Sequence, residues 1–188
     1  MTIKRLFDFI SASLLLFVML PIILFISLLI KSTSSGPIFY ISDRVGVKNS
    51  IFKMYKFRTM IVGTPPVATH LLTDPDRYLT PIGGFLRKTS LDELPQLFNI
   101  IRGDMSFVGP RPALYNQYDL IELRTKKDVH RLIPGLTGWA QINGRDELCI
   151  PVKVDFDEYY LKHQCILLDL KILCKTISKV VKAEGVKH

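Results

Sequence analysis

Phe9 to Ile30 reads FISASLLLFVMLPIILFISLLI, 22 consecutive residues without a formal charge. As one straight helix this run reaches about 33 Å, enough to cross a hydrocarbon core. A cleaved leader is not expected, because the run is too long and its small-residue cluster, Ser11-Ala12-Ser13, precedes its centre. Whether the segment crosses the bilayer is a separate question. Lys4 and Arg5 before it and Lys31 after it draw both ends to the same side. Pro21, near the middle, removes the amide bond to the Phe17 carbonyl and crowds that turn. A helix bent there enters the membrane and returns. A single-pass anchor with a tolerated proline stays open on the same residues. Asp8, three residues after Arg5, is spaced to pair with it on one helical face.

Outward from this segment the chain is basic. Its 188 residues are 48% hydrophobic, with mean hydropathy +0.23, which excludes a disordered chain. The 25 Lys and Arg against 17 Asp and Glu give a net charge of +8. Residues 1–31 hold +2 of this, so +6 belongs to residues 32–188 and points to phosphate, nucleic acid or an anionic membrane. A single domain of this size needs no disulfide or structural metal. Cys149, Cys165 and Cys174 are spaced 16 and 9 apart, which fits reduced cytosolic thiols rather than a zinc site or disulfide framework.

After a small polar linker at Ser32–Gly36, Pro37–Ile41 and Ile51–Phe57 flank a turn near Val45-Gly46 and predict a hairpin. Gly63–Pro75, with three prolines, reads as a mobile loop. Thr80-Pro81 predicts a helix start toward Arg87, with Thr80 as cap. Leu91–Ile101 and Ala113–Arg124 read as helices, and Gly135–Gly144 as a turn-rich connection with a short extended piece. The last helix carries an apolar stripe of Ile166, Leu170, Leu173, Ile177 and Val180. Lys171, Lys175, Lys179 and Lys182 line another face, a pattern that suits either an anionic bilayer surface or a core helix with a solvated side.

Chemistry-bearing residues fall in four stretches: KMYKFRTM (53–60), RKTSLDELPQL (87–97), GDMSFVGPRP (103–112) and PGLTGWAQINGR (134–145). In strand geometry Lys56 and Arg58 point the same way. Arg111 stands between two prolines and loses little freedom on binding an anion, and guanidinium is a bidentate partner of phosphate. Arg145 follows an Asn-Gly turn. The vicinal carboxylates Asp92 and Glu93, at a helix start, suit a nucleophile or a magnesium ligand. They equally suit capping, with Ser90 and Glu93 as a capping box or Asp92 as N-cap ahead of Pro95.

The apolar N-terminus with its central proline, KFRTM, SLDELPQLFN, GDMSFVGPRP, PGLTGWAQINGR and the terminal DLKIL closely resemble the small bacterial sugar transferases, the monotopic phosphoglycosyl transferases. The resemblance covers essentially the whole chain and keeps motif order. Many members have serine before the kink proline, where this chain has Leu20-Pro21. The resemblance implies an α+β fold, mostly helical with a small β-hairpin and amphipathic interfacial helices. Residues 1–31 would form a re-entrant membrane helix and 32–188 a cytosolic catalytic domain at the bacterial inner membrane.

It implies that a sugar 1-phosphate moves from a UDP-sugar to polyprenyl (undecaprenyl) phosphate, releasing UMP, as the first membrane step of a surface glycan pathway. Asp92 would be the nucleophile and Glu93 its partner, both placed to hold Mg2+. Lys56, Arg58, Arg87, Arg111 and Arg145 are the anion contacts, with Asp157 and Asp169 as further candidates, Asp169 also readable as a cap of the last helix. The Ala113–Tyr118 stretch and Glu184–Val186 point, by resemblance, to an N-acetylated 6-deoxyhexose. A homodimer is kept among the partners. The competing class is a membrane-anchored basic adaptor for nucleic acid or an acidic protein. Nucleic acid is not expected, since the basic residues alternate with Pro-Gly turns and no recognition helix or RNA-binding sheet signature occurs.

Overall fold

The computed structural model describes residues 3–65, 74–144 and 148–181. Helix α1 (Ile3–Thr33) runs through Pro21 and is long and apolar enough to cross a membrane. One stripe of it meets the rest of the protein. Asp8, Ala12, Ile23, Ile26 and Ile30 are buried, and Leu16 and Met19 pack between them. These positions advance by three or four residues, the repeat of a single helical face. Burying each isoleucine contributes about 1.5–3 kcal/mol. On the other faces Leu14, Phe17, Leu24, Phe25 and Leu28 are 60% to 76% exposed. So broad an apolar surface marks α1 as a membrane-associating helix.

Polar contacts tie both ends of α1 to one body. At the N-terminal end Lys4 pairs with Asp169 at 2.7 Å, and Asp8 accepts the Phe107 amide at 3.3 Å. The Arg5 guanidinium donates to the Ile101 carbonyl at 2.7 Å and to the Ile100 carbonyl, which also accepts the Gly103 amide at 3.1 Å, at the end of helix α3 (Gln96–Arg102). At the C-terminal end Arg58 donates to the Ser34 carbonyl at 3.1 Å, to Ser34 Oγ at 2.7 Å and to the Ser35 carbonyl.

Strands β1 (Phe39–Val45) and β2 (Ile51–Phe57) form the expected antiparallel hairpin, in register from Phe39 opposite Phe57 to Val45 opposite Ile51. The α+β class, mostly helical with one small hairpin, matches the expectation. Much of the expected loop at 63–75 lies outside the described residues.

Three expected helices start elsewhere. Helix α2 (Gly83–Lys88) begins two residues beyond Pro81 and is preceded by Ile82 without a side-chain cap. Thr80 is drawn instead to the Thr59 carbonyl, to which both its amide (2.9 Å) and its hydroxyl (3.3 Å) donate. A Cβ on Gly83 would lie 2.1 Å from that same carbonyl, so the close approach requires glycine. Leu91–Ile101 divides into a 3-10 turn, Leu91–Glu93, and α3, because Pro95 has no amide to continue the ladder. Ala113–Gln117 is a turn closed by Gln117 on Leu114, and helix α4 runs Tyr118–Lys126.

Strands β3 (Ser106–Val108) and β4 (Gly135–Thr137) pair in parallel, joining the third and fourth motif stretches. The join depends on glycines: a Cβ on Gly135 would meet the Gly109 nitrogen at 2.1 Å, and one on Gly138 the Gly109 carbonyl at 2.1 Å. Helices α5 (Trp139–Ile142), α6 (Ile150–His163) and α7 (Ile166–Val181) complete the body. Helix α7 packs through Asp169 and Ile172, leaving Ile166, Leu170 and Ile177 exposed and Leu173 half-buried. Its Lys171 and Lys175 ammonium groups stand 5.8 and 5.9 Å from the Trp139 ring centre, and Trp139 stacks on Tyr159. Lys182 lies outside the described residues. The three cysteines are exposed, free thiols.

Candidate active site

The carboxylate pair sits on the 3-10 turn between α2 and α3, entered through Ser90 in the left-handed region at φ 56°. Ser90 makes no side-chain cap bond, and Pro95 occupies the position before α3, so neither capping arrangement forms. Glu93 turns to strand β2, where Lys56 Nζ lies 2.6 Å from Glu93 Oε1 and 3.8 Å from Asp92 Oδ2. Arg111 Nη1 reaches Glu93 Oε1 at 3.5 Å. From α2, Arg87 donates its Nε to Thr59 Oγ1 at 3.0 Å and lies in the field of Asp92.

Asp92 is 8% exposed, and burial pushes its carboxyl above the ordinary range. Lys56 opposes that rise, Glu93 adds to it, and Arg87 and Arg111 oppose it again. Burial likewise lowers Arg87, which Asp92 counters. The two carboxylates thus share a desolvated pocket of cationic side chains, a setting that attracts a polyanion. Among the described residues no three His, Cys, Asp or Glu side chains converge. Among these residues a divalent ion here would draw on Asp92 and Glu93. That donor set fits magnesium, which commonly takes one or two carboxylates and completes its shell with phosphate oxygens and water.

The profile of the bacterial sugar transferase family matches residues 1–183. The chain belongs to the bacterial sugar transferases. It is 43% identical over 190 residues to a Bacillus subtilis protein named uncharacterized sugar transferase EpsL, covering 100% of this chain and 92% of that one. It is 39% identical over 197 residues to the exopolysaccharide production protein ExoY of Rhizobium meliloti, covering 97% and 87%. The undecaprenyl-phosphate glucose phosphotransferase of Komagataeibacter xylinus is 39% identical over 191 residues. That alignment takes in 95% of this chain and 36% of the longer relative.

The bacterial sugar transferase structure brings Lys56, Arg87 and Arg111 around the dyad and places three other candidates elsewhere. Arg58 is 4% exposed and faces the end of α1, because β2 stops at Phe57 and the strand alternation stops with it. Asp157, 1% exposed, pairs with Arg124 through Nε at 3.0 Å and Nη2 at 2.7 Å. Asp169 is held between Lys4 and the Tyr160 hydroxyl (2.6 Å), and burial with Asp169 beside it drives the Tyr160 hydroxyl well above its ordinary range. Arg145 and the Glu184–Val186 stretch lie outside the described residues. Along Ala113–Tyr118, Tyr115 and Tyr118 are exposed while Ala113 is buried.

Arg44 is a site residue that the sequence reading missed. On β1 it bonds Ser42 Oγ and the Pro112 carbonyl, each at 3.3 Å. Burial first and the Arg111 charge second lower it to about 10, with Tyr40 and Glu93 acting the other way. It remains protonated at neutral pH and adds a cation beside Arg111. The expected arm ended at Ile41, and β1 runs on through Arg44 to Val45.

Proposed function

We propose that this bacterial sugar transferase moves a sugar 1-phosphate from a UDP-sugar to polyprenyl phosphate, through a covalent phosphosugar on Asp92. The observation that carries this reading is the buried Asp92-Glu93 pair ringed by Lys56, Arg87 and Arg111, in a body fastened to an apolar membrane helix. The relatives named for undecaprenyl-phosphate phosphotransfer support the same substrate classes.

Lys56, Arg87 and Arg111 neutralise the diphosphate and orient it against Asp92. The Asp92 carboxylate attacks the sugar-linked phosphorus, and the bond to the bridging oxygen breaks. UMP leaves with that electron pair. An oxygen of the lipid phosphate then attacks the same phosphorus and expels Asp92, giving polyprenyl-diphosphate-sugar. Glu93, held by Lys56, orients the acceptor. Magnesium bound at the two carboxylates would supply charge neutralisation on the diphosphate. Exchanging one phosphoanhydride for another is close to thermoneutral, so catalysis here is mainly positioning and charge.

Helix α1 re-enters in this reading. Lys4, Arg5 and Asp8 at one end and the Ser34 and Ser35 carbonyls at the other meet a single body, which supports a monotopic arrangement on the cytosolic face of the inner membrane. A UMP-release assay across UDP-sugars with undecaprenyl phosphate tests the reaction. Lipid-dependent release with one donor is the expected result, with an N-acetylated 6-deoxyhexose donor the first to try. Absence of release across glucose, galactose, N-acetylhexosamine and 6-deoxyhexose donors would overturn it.

A further inference from the structure

We propose that Asp157 and Arg124 are positioning residues for Arg111, acting on its main chain from beneath the active site. This rests on the reading of Arg111 as a diphosphate contact. Arg124 is 8% exposed, and its guanidinium fork is divided between two tasks. Nε and Nη2 grip Asp157 Oδ2, while Nη1 donates to the Arg111 carbonyl at 2.8 Å. A buried ion pair is often no more stabilising than apolar residues of the same volume, so stability alone explains this one poorly. Its third contact gives it a task. That contact falls on the residue whose side chain reaches Glu93.

The surroundings of that carbonyl support the assignment. Pro110 and Pro112 fix φ on either side of Arg111. The Pro110 carbonyl accepts the Gly135 amide at 2.9 Å, and the Pro112 carbonyl accepts Arg44 at 3.3 Å. With Arg124 on the carbonyl between them, three successive carbonyls are anchored by three different elements. The direction of the Arg111 side chain is then set before any ligand arrives. Asp157 holds Arg124 in an orientation that leaves Nη1 facing this carbonyl. Neither residue touches the dyad, and their effect travels through the backbone of one arginine.

The test is a double-mutant cycle on the full chain in detergent, reading inorganic pyrophosphate binding by calorimetry together with kcat and KM for the UDP-sugar. Arg124→Lys keeps the charge beside Asp157 but replaces the fork with one ammonium, which cannot hold both partners in the same geometry. It is expected to unfold near the wild-type temperature while the pyrophosphate Kd and the UDP-sugar KM rise about tenfold. Arg111→Ala should weaken both at least as much. Adding Arg124→Lys to Arg111→Ala should cost nothing further, because the relay then has nothing to position. Multiplicative losses in the double variant, or wild-type pyrophosphate affinity in Arg124→Lys, would overturn the proposal. If Arg124→Lys fails to fold, Arg124→Met with Asp157→Leu removes both charges together and carries the same comparison. A wild-type chain that binds pyrophosphate yet releases no UMP would remove the reaction, while the cycle would still decide the relay.

Discussion

Lys56 Nζ stands 2.6 Å from Glu93 Oε1, and this contact, made across from strand β2 to the 3-10 turn, brings the ammonium within 3.8 Å of Asp92. One lysine therefore holds one carboxylate and favours the ionised form of its neighbour against the effect of burial. Without it, Arg87 and Arg111 alone among the cations acting on Asp92 would counter the cost of burial and the repulsion of Glu93.

Lys56→Gln is accordingly expected to move the acidic limb of the pH–rate profile for UMP release toward higher pH. Lys56 lowers the Asp92 pKa, so its removal raises that pKa and widens the pH range in which the nucleophile is protonated. At neutral pH the rate should fall by roughly a hundredfold, the scale on which one preorganised charge contact acts. An unmoved acidic limb would mean that Lys56 does not govern Asp92.

Asp92→Asn should release no UMP and yet unfold at a higher temperature than wild type at neutral pH. The sign follows from linkage. Asp92 has a folded-state pKa raised above its unfolded value, so the folded protein gains stability as pH falls through that raised value and loses it above, where the buried carboxylate is charged. Asparagine keeps the uncharged form at every pH, so the difference in melting temperature should shrink on acidification. Wild-type protein given UDP-sugar and magnesium without lipid should gain the mass of a phosphosugar on the Asp92 peptide. The asparagine variant should gain none.

The parts of this picture that were legible in the sequence are those set by local periodicity. Twenty-two uncharged residues announce α1, and paired apolar strands around Gly46 announce the hairpin. Lys56 and Arg58 show where that logic ends, for alternation holds within β2, and one residue past its end the guanidinium serves the linker. The parallel β3–β4 pair was hidden because each strand is three residues long and the pairing depends on glycine contacts 26 residues apart, between Gly109 and Gly135. Arg44 and Arg124 were hidden for a related reason. Besides Ser42 and Asp157, their partners are the main-chain carbonyls of Pro112 and Arg111, and no side-chain motif marks a carbonyl.

Lys171→Gln with Lys175→Gln should weaken binding to vesicles containing anionic lipid far more than to neutral ones. Each lysine near such a surface contributes on the order of 1 kcal/mol, so the pair should account for about thirtyfold. Both ammonium groups stand over Trp139 beside the exposed Ile166, Leu170 and Ile177, which places them at the edge of the apolar face of α7. Co-sedimentation with the two vesicle types measures this. Equal losses on both would return the lysines to a solvated surface.

If α1 re-enters as proposed, Pro21→Leu should convert it to a spanning helix in a measurable share of molecules. Proline removes the bond to the Phe17 carbonyl, and Leu20 offers no hydroxyl to replace it, so the proposed re-entry would rest on proline and on the contacts at the two ends of the helix. Those contacts oppose the conversion, because a spanning α1 would have to give up either Lys4 to Asp169 and Asp8 to Phe107, or Arg58 to Ser34. Cysteines introduced singly at positions 2 and 33, with Cys149, Cys165 and Cys174 replaced by serine, report the two ends to an impermeant reagent in intact cells. In the Pro21 chain both positions should be protected, and in Pro21→Leu position 2 should become reactive while position 33 stays protected. Adding Lys4→Gln to Pro21→Leu should increase that reactive share, since it removes one of the contacts resisting the flip. Labelling of position 2 in the Pro21 chain would establish a span from the outset, and an unchanged pattern in both variants would show that the bend does not depend on proline.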